Sequence, residues 1–325
     1  MKTLIVVLFT AGIFFSHSGI CQQPDTLIHK LDSLNKKTDT IGEQKNIINP
    51  NAYNENTKIT FANYFVLLGS DLKQQFTAPF HQTGKEWIRI GQYAAITAGL
   101  SLVADEPVQR AAVELHNSSE TIGSVSNYIT RFGGLYEVYT LAGLGAYSIV
   151  FKNKKMQTTT LLATQAYLTA GAVETVVKFI TGRQRPSYYN VSKPEPEPTF
   201  HGPFFKAGVD VSGKKINSSF PSGHTTVAFA AATVFAMEYK HTPWVPIVSY
   251  GAASLIGLSR LTENKHWATD VFVGATLGYL CGRQVVNNYH RYAKVQAENK
   301  NKGTVSFNIQ YMNNQLVPGV VYTFR

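Results

Sequence analysis

Apolar residues recur at helical spacing through most of this chain. Phe61, Phe65, Leu68, Leu72 and Phe76 come first, and they predict an amphipathic helix ending before Pro79. From Trp87 the pattern becomes a series of longer apolar stretches at 87–104, 135–151, 157–180, 222–239, 244–259 and 267–287, with a further amphipathic stretch between Glu106 and Arg131. Alanine, glycine, leucine and valine dominate these stretches, and turn-forming residues separate them. The pattern predicts an all-α fold, a bundle of about six core helices. Near the C-terminus the period shortens to two: Val305, Phe307, Ile309 and Tyr311 alternate with polar residues, and Val320, Tyr322 and Phe324 do so again beyond Asn313 and Asn314. This predicts a short C-terminal β-hairpin over 304–325. Two strands cannot close a barrel, so the hairpin is expected to dock on the bundle or on a membrane surface.

Two regions stand outside the helical pattern. Residues 22–58 are polar and rich in Asn, Lys and Thr, a loosely ordered leader. Residues 187–220 interrupt the bundle. Pro194, Pro196 and Pro198 alternate there with lysine or glutamate, which favours an extended polyproline course. Phe200, Phe204 and Phe205 follow. This insertion reads either as a lid or substrate rim, or as a connector whose aromatics pack on the bundle. Ahead of all this, Lys2 followed by the apolar run Leu4–Phe15 has the build of a secretory signal, with small residues at Gly19 and Cys21 allowing cleavage before Gln22. Ile20 is too bulky for a typical lipoprotein signal. The expected organisation is a signal peptide at 1–21, the leader at 22–58, a helical domain at 59–292 and the hairpin at 304–325.

Composition narrows the partners. Charged residues make up only 15% of the chain against 44% hydrophobic ones, so much of its length is buried in itself or against lipid. The net charge of +10 suits an anionic membrane surface or an anionic substrate. No basic stripe interleaved with aromatics and no nucleic-acid-binding signature occurs, which argues against nucleic acid as a partner. After cleavage Cys281 would be alone, leaving no disulfide framework.

Three clusters carry the chemistry. Lys178 ends an apolar helix, with Arg185 and Pro186 just beyond it, so two cations can converge on an anion. Basic residues at helix C-termini are common, and this cluster alone is weak. Pro221-Ser222-Gly223-His224 immediately precedes a strong helical run. A helix N-terminus offers unpaired N–H groups and partial positive charge, Gly223 permits close approach, Ser222 adds a hydroxyl, and His224 lies at the rim. The plain alternative is an ordinary helix cap with an incidental histidine. Ser259-Arg260 closes the next helix, and His266 opens the last one with Asp270 four residues on, a spacing that puts both on one helical face. A carboxylate on one imidazole nitrogen would leave the other free to attack phosphorus. A lone His/Asp pair is more often structural; the company of the other clusters reverses that.

Written as spacing, the clusters read K-x6-R-P, P-S-G-H and S-R-x5-H-x3-D. The chain resembles the type 2 phosphatidic acid phosphatase superfamily, which includes bacterial class A acid phosphatases and vanadium haloperoxidases. The resemblance covers roughly 87–287, with every motif position filled. It implies that Lys178, Arg185 and Arg260 bind phosphoryl oxygens, with Ser222 and the Gly223 N–H completing the cradle. It implies His266 as nucleophile in a phosphohistidine mechanism, Asp270 as its orienting partner and His224 as general acid. No cofactor or metal is implied, and vanadate is the expected inhibitor. The implied activity is hydrolysis of phosphate monoesters, of lipid phosphates such as phosphatidic acid or a related lipid (pyro)phosphate. Two alternatives stand beside it: a vanadium-dependent haloperoxidase, with vanadate as cofactor, and a soluble periplasmic acid phosphatase or phosphotransferase.

Placement is in conflict. Six spans would bring all three clusters to one face, yet a cleaved signal would send that face to the cytoplasm and leave Lys152, Lys154 and Lys155 outside, against the positive-inside tendency. Arg89, Glu137 and Glu174 also interrupt the stretches. The expectation is an exported, membrane-associated catalytic domain on the periplasmic side of the cell envelope, with an integral multi-pass arrangement as the competing placement.

Overall fold

The computed structural model describes residues 59–187, 197–203, 217–301, 304–312 and 315–323, with side chains described up to residue 291. The expected signal peptide, polar leader, most of the proline run, Phe204 and Phe205 lie outside the described residues. The fold is all-α. Its helices are α1 (Phe61–Thr77), α2 (Gly84–Asn117), α3 (Glu120–Thr130), α4 (Leu135–Val150), α5 (Lys154–Thr181), α6 (Gly223–Glu238), α7 (Trp244–Thr262) and α8 (Ala268–Asn301). The chain divides into two compact units, one holding described residues 59–286 and the other starting at Asn287. In the second unit, strands β1 (Thr304–Met312) and β2 (Gln315–Thr323) pair antiparallel, Thr304 opposite Thr323.

Local chemistry sets the helix ends. Thr83 and Glu86 form a reciprocal capping box at the start of α2, the Thr83 N–H donating to the Glu86 carboxylate at 2.7 Å. Asn153 caps α5 by accepting from the Met156 N–H at 3.0 Å. At the far end of α5, Gly182 takes the left-handed conformation (φ 55°) and donates its N–H to Lys178 O, stopping the helix between Lys178 and Arg185. The expected break near residue 105 is absent: α2 continues through Pro107 to Asn117, and α3 takes only 120–130. Hydropathy changes at 105 because one face of α2 turns polar, not because the helix stops.

The core centres on α6. Val227, Ala228, Ala230, Ala231, Ala232, Val234 and Ala236 are all buried, as expected of a helix apolar on every side. It packs between α5 and α7. Helix α8 meets it through Gly274, Gly278 and Gly282, spaced four apart. A side-chain carbon at these positions would collide with Ser222, with the Thr226 carbonyl and with the Ala230 carbonyl respectively. This close approach brings the residues at the head of α8 against those at the head of α6. Gly278→Ala is therefore expected to destabilise by about 1–3 kcal/mol, because backbone must move. Gly251→Ala on α7, where nothing lies within 4 Å, is expected to be neutral or stabilising. Denaturant midpoints of the two variants check the contrast.

The outer surface is unusually apolar. Phe61 is 84% exposed and Leu102 88%, and α4 and α7 present Leu135, Tyr139, Ile149, Phe151, Trp244 and Ile247 outward. Helix α1 turns its phenylalanines outward. Phe61, Phe65 and Phe76 face out, while Leu67 and Asp71 are buried and Gln75 bonds inward to Thr169 and Gln284. No described helix is long and apolar enough to cross a membrane by itself.

Candidate active site

The structure brings the three sequence clusters together where α5 and α7 end and α6 and α8 begin. His266 sits in the turn before α8 and is buried. Its Nδ1 lies 2.7 Å from the Ser219 carbonyl oxygen. A carbonyl can only accept, so Nδ1 carries the proton and Nε2 keeps its lone pair. Burial pushes the His266 pKa well below the usual histidine value, and the positive charges of Arg185, Arg260 and Lys178, with His224, push it further. The ring is neutral at neutral pH, with its free nitrogen in a cationic environment.

Asp270 differs from expectation. His266 precedes the helix, so the two side chains do not share a helical face. The carboxylate lies at N3 of α8 and folds back to accept the Trp267 N–H at 2.8 Å. Its Oδ2 stands 3.5 Å from His266 Nδ1 and accepts the Ser219 hydroxyl at 2.5 Å. Asp270 thus fixes Ser219, whose carbonyl holds the imidazole directly.

Ser222 is the N-cap of α6, fully buried, and its N–H is taken by the Asp270 carbonyl at 3.0 Å. Its hydroxyl pairs with Thr225 at 2.8 Å. Gly223 opens the helix, and His224 follows it, packed against Gly133 of the 3₁₀ turn 131–133 and against Gly134 just beyond it. His224 and Arg260 line a cleft of about 430 Å3, together with Thr130, Tyr136, Glu263 and Lys265. Arg260 donates to Thr130 Oγ1 at 2.6 Å, and burial, then Arg185, brings its pKa down to about 10. Arg185 is held by Ser218 through Nε and Nη2, both at 3.2 Å from its hydroxyl. Lys178 donates to Glu174 at 2.9 Å, and burial lowers its pKa against the opposing pull of Glu174.

Behind the site lies a network that motif spacing did not reveal. Arg183 is fully buried and forks between two buried carboxylates, Asp105 at 2.5 Å and Asp270 at 2.6 Å. Thr269 and Ser101 close the network: Thr269 donates its N–H to Asp105 at 2.9 Å, and Ser101 donates to it at 2.8 Å. Phe200 covers the guanidinium at 4.7 Å and meets Phe220 edge-on, so this part of the insertion packs on the bundle. The only local signal was a third arginine two positions before Arg185. Among the described residues, no group of three or more His, Cys, Asp or Glu is placed to hold a metal.

Comparison with known proteins follows the same residues. The PAP2 superfamily family model matches residues 159–294. Over that segment, which is less than half of its length, this chain is similar to the PAP2 superfamily. It is 50% identical over 66 residues to the lipid A 1-phosphatase of Porphyromonas gingivalis, covering 20% of this chain and 15% of that protein. It is 32% identical over 144 residues to lipid phosphate phosphatase 1 of Arabidopsis thaliana, covering 38% of this chain and 44% of the relative. The chain thus spans less than half the length of these curated relatives. Among solved structures, Aquifex aeolicus LpxE aligns at 21% identity and a TM-score of 0.39, over 56% of this chain and 94% of that one. The matched segment holds all three motif clusters, while Asp105 lies outside it.

Proposed function

We propose that this chain is a PAP2-type phosphatase that hydrolyses phosphate monoesters of lipids without a metal, through a phosphohistidine. The observation that carries the reading is His266: a buried, neutral imidazole with Nδ1 committed to a carbonyl, surrounded by Lys178, Arg185 and Arg260. Those cations and the α6 N-terminus take up the phosphoryl oxygens and the charge that develops on them. His266 Nε2 attacks phosphorus as the bond to the ester oxygen breaks, and His224 gives that oxygen a proton. His224 then accepts a proton from water as the water displaces His266, releasing phosphate. Asp270 and Ser219 hold the nucleophile in its tautomer throughout.

The lipid class is supported by the names of the relatives and by the outward apolar surface. A helix such as α1, with Phe61, Phe65 and Phe76 exposed, suits lipid contact better than water. With a net charge of +10 it favours an anionic bilayer. We place the protein in the cell envelope after export, its apolar face against the membrane.

The test is phosphate release from short-chain phosphatidic acid, in vesicles and in detergent, and from p-nitrophenyl phosphate, all in chelator and with or without vanadate. Release that survives chelator, stops with vanadate and favours the lipid in vesicles is expected; no release from any substrate by folded protein contradicts the reading. The acid limb of kcat/KM is expected below the ordinary histidine value of about 6.5, since His266 must be neutral to attack. Arg260→Gln removes one of the charges that depress His266, so the limb should move to higher pH.

A further inference from the structure

The space beside Gly223, the first residue of α6, is filled by a carboxylate of the chain itself. A side-chain carbon on Gly223 would overlap Glu174 Oε1 and lie 3.0 Å from Lys178 Nζ. Glu174 Oε1 accepts from Lys178 at 2.9 Å, and Glu174 Oε2 is buried with no hydrogen-bond partner. Glutamate four residues before lysine is an ordinary helix pair at a surface. This one is mostly buried, its side chains 13% and 17% exposed, and it lies against Gly223. A carboxylate with one unpartnered oxygen beside a helix N-terminus occupies the place of an anion and draws on the same lysine.

Taking the phosphoryl-binding reading of the site as its basis, we propose that Glu174 is a specificity-determining residue that sets how tightly free phosphate is held. It pairs with Lys178 and fills the space beside Gly223. An incoming phosphoryl group must take Lys178 from it and sit beside a negative charge. A substrate with a lipid or other organic portion has further contacts to offset that repulsion. Inorganic phosphate has none, so the product leaves. Glu174 thereby separates esters from the free anion that every turnover produces.

Glu174→Gln keeps the shape and the acceptor for Lys178 but removes the charge. Inhibition by inorganic phosphate and by vanadate should tighten at least about tenfold in this variant. The KM for the ester should fall less, and kcat should fall as product release slows. Glu174→Asp keeps the charge but draws it back from Gly223, so its phosphate affinity should lie between the two; it also gives a reading if the glutamine variant fails to fold. A pair that only stabilises the helix predicts a small drop in thermal midpoint and unchanged inhibition constants, which would overturn the proposal. Calorimetric binding of vanadate to the unaltered protein separates the two levels. If it binds vanadate and neither variant binds more tightly, only the role of Glu174 falls. If it neither binds vanadate nor releases phosphate, the phosphatase reading falls with it.

Discussion

His266→Ala is expected to lower kcat for phosphate release by at least about a thousandfold while leaving the fold intact. The imidazole makes one hydrogen bond, to a backbone carbonyl that retains a second lone pair, and the turn that carries it is fixed independently by Asp270 and Trp267. Its loss should therefore appear in turnover and not in the unfolding midpoint. Vanadate affinity should fall much less than turnover, because Lys178, Arg185 and Arg260 still provide the charge. His224→Ala should behave differently. Its loss should be severe for esters of poorly acidic alcohols and mild for p-nitrophenyl phosphate, whose leaving group needs little protonation. A His266→Ala variant retaining a tenth or more of normal turnover would remove this residue from the chemistry.

Arg183→Ala carries the other large expectation. Removing the guanidinium leaves Asp105 and Asp270 buried without their cation, a situation that costs about 3–5 kcal/mol. Arg183→Lys keeps a charge in the pocket but cannot fork to both carboxylates, so stability should return in part. Its activity should not return with it. Asp270 would lose its anchor, Ser219 would shift, and His266 would lose the carbonyl that fixes its tautomer. A drop in kcat of about tenfold with little change in KM is expected in folded Arg183→Lys protein, as for other residues that act by orienting a reacting group. A purely structural arginine predicts normal kcat once the lysine variant is folded.

The three clusters that the structure brings together were legible in the sequence because each is local. Lys178 and Arg185 share one helix end, Ser222 to His224 share one helix start, and Arg260 and His266 flank one turn. The supporting network was not legible, because its members come from distant elements: Asp105 is on α2, far ahead of Arg183, and no local pattern says that they meet. Glu174 was visible only as a charge interrupting an apolar stretch. The His266–Asp270 relation shows a different limit. Spacing of four puts two side chains on one face only if both residues are helical, and here the helix begins between them. Helical periodicity found α1 but not its orientation, since a repeat of phenylalanines specifies a face and leaves open whether that face packs inward or is exposed. Likewise, the polar turn of α2 after residue 104 marked a change of surroundings while the helix continued.

The most direct test of the central claim is covalent. Folded protein would be mixed with radiolabelled substrate in chelator, quenched in alkali during turnover, and digested to locate the label. Phosphate stable in base and labile in acid, carried by the peptide that contains His266 and absent from His266→Ala protein, is the predicted result. Turnover with no label at His266, or with label on another residue, would contradict it.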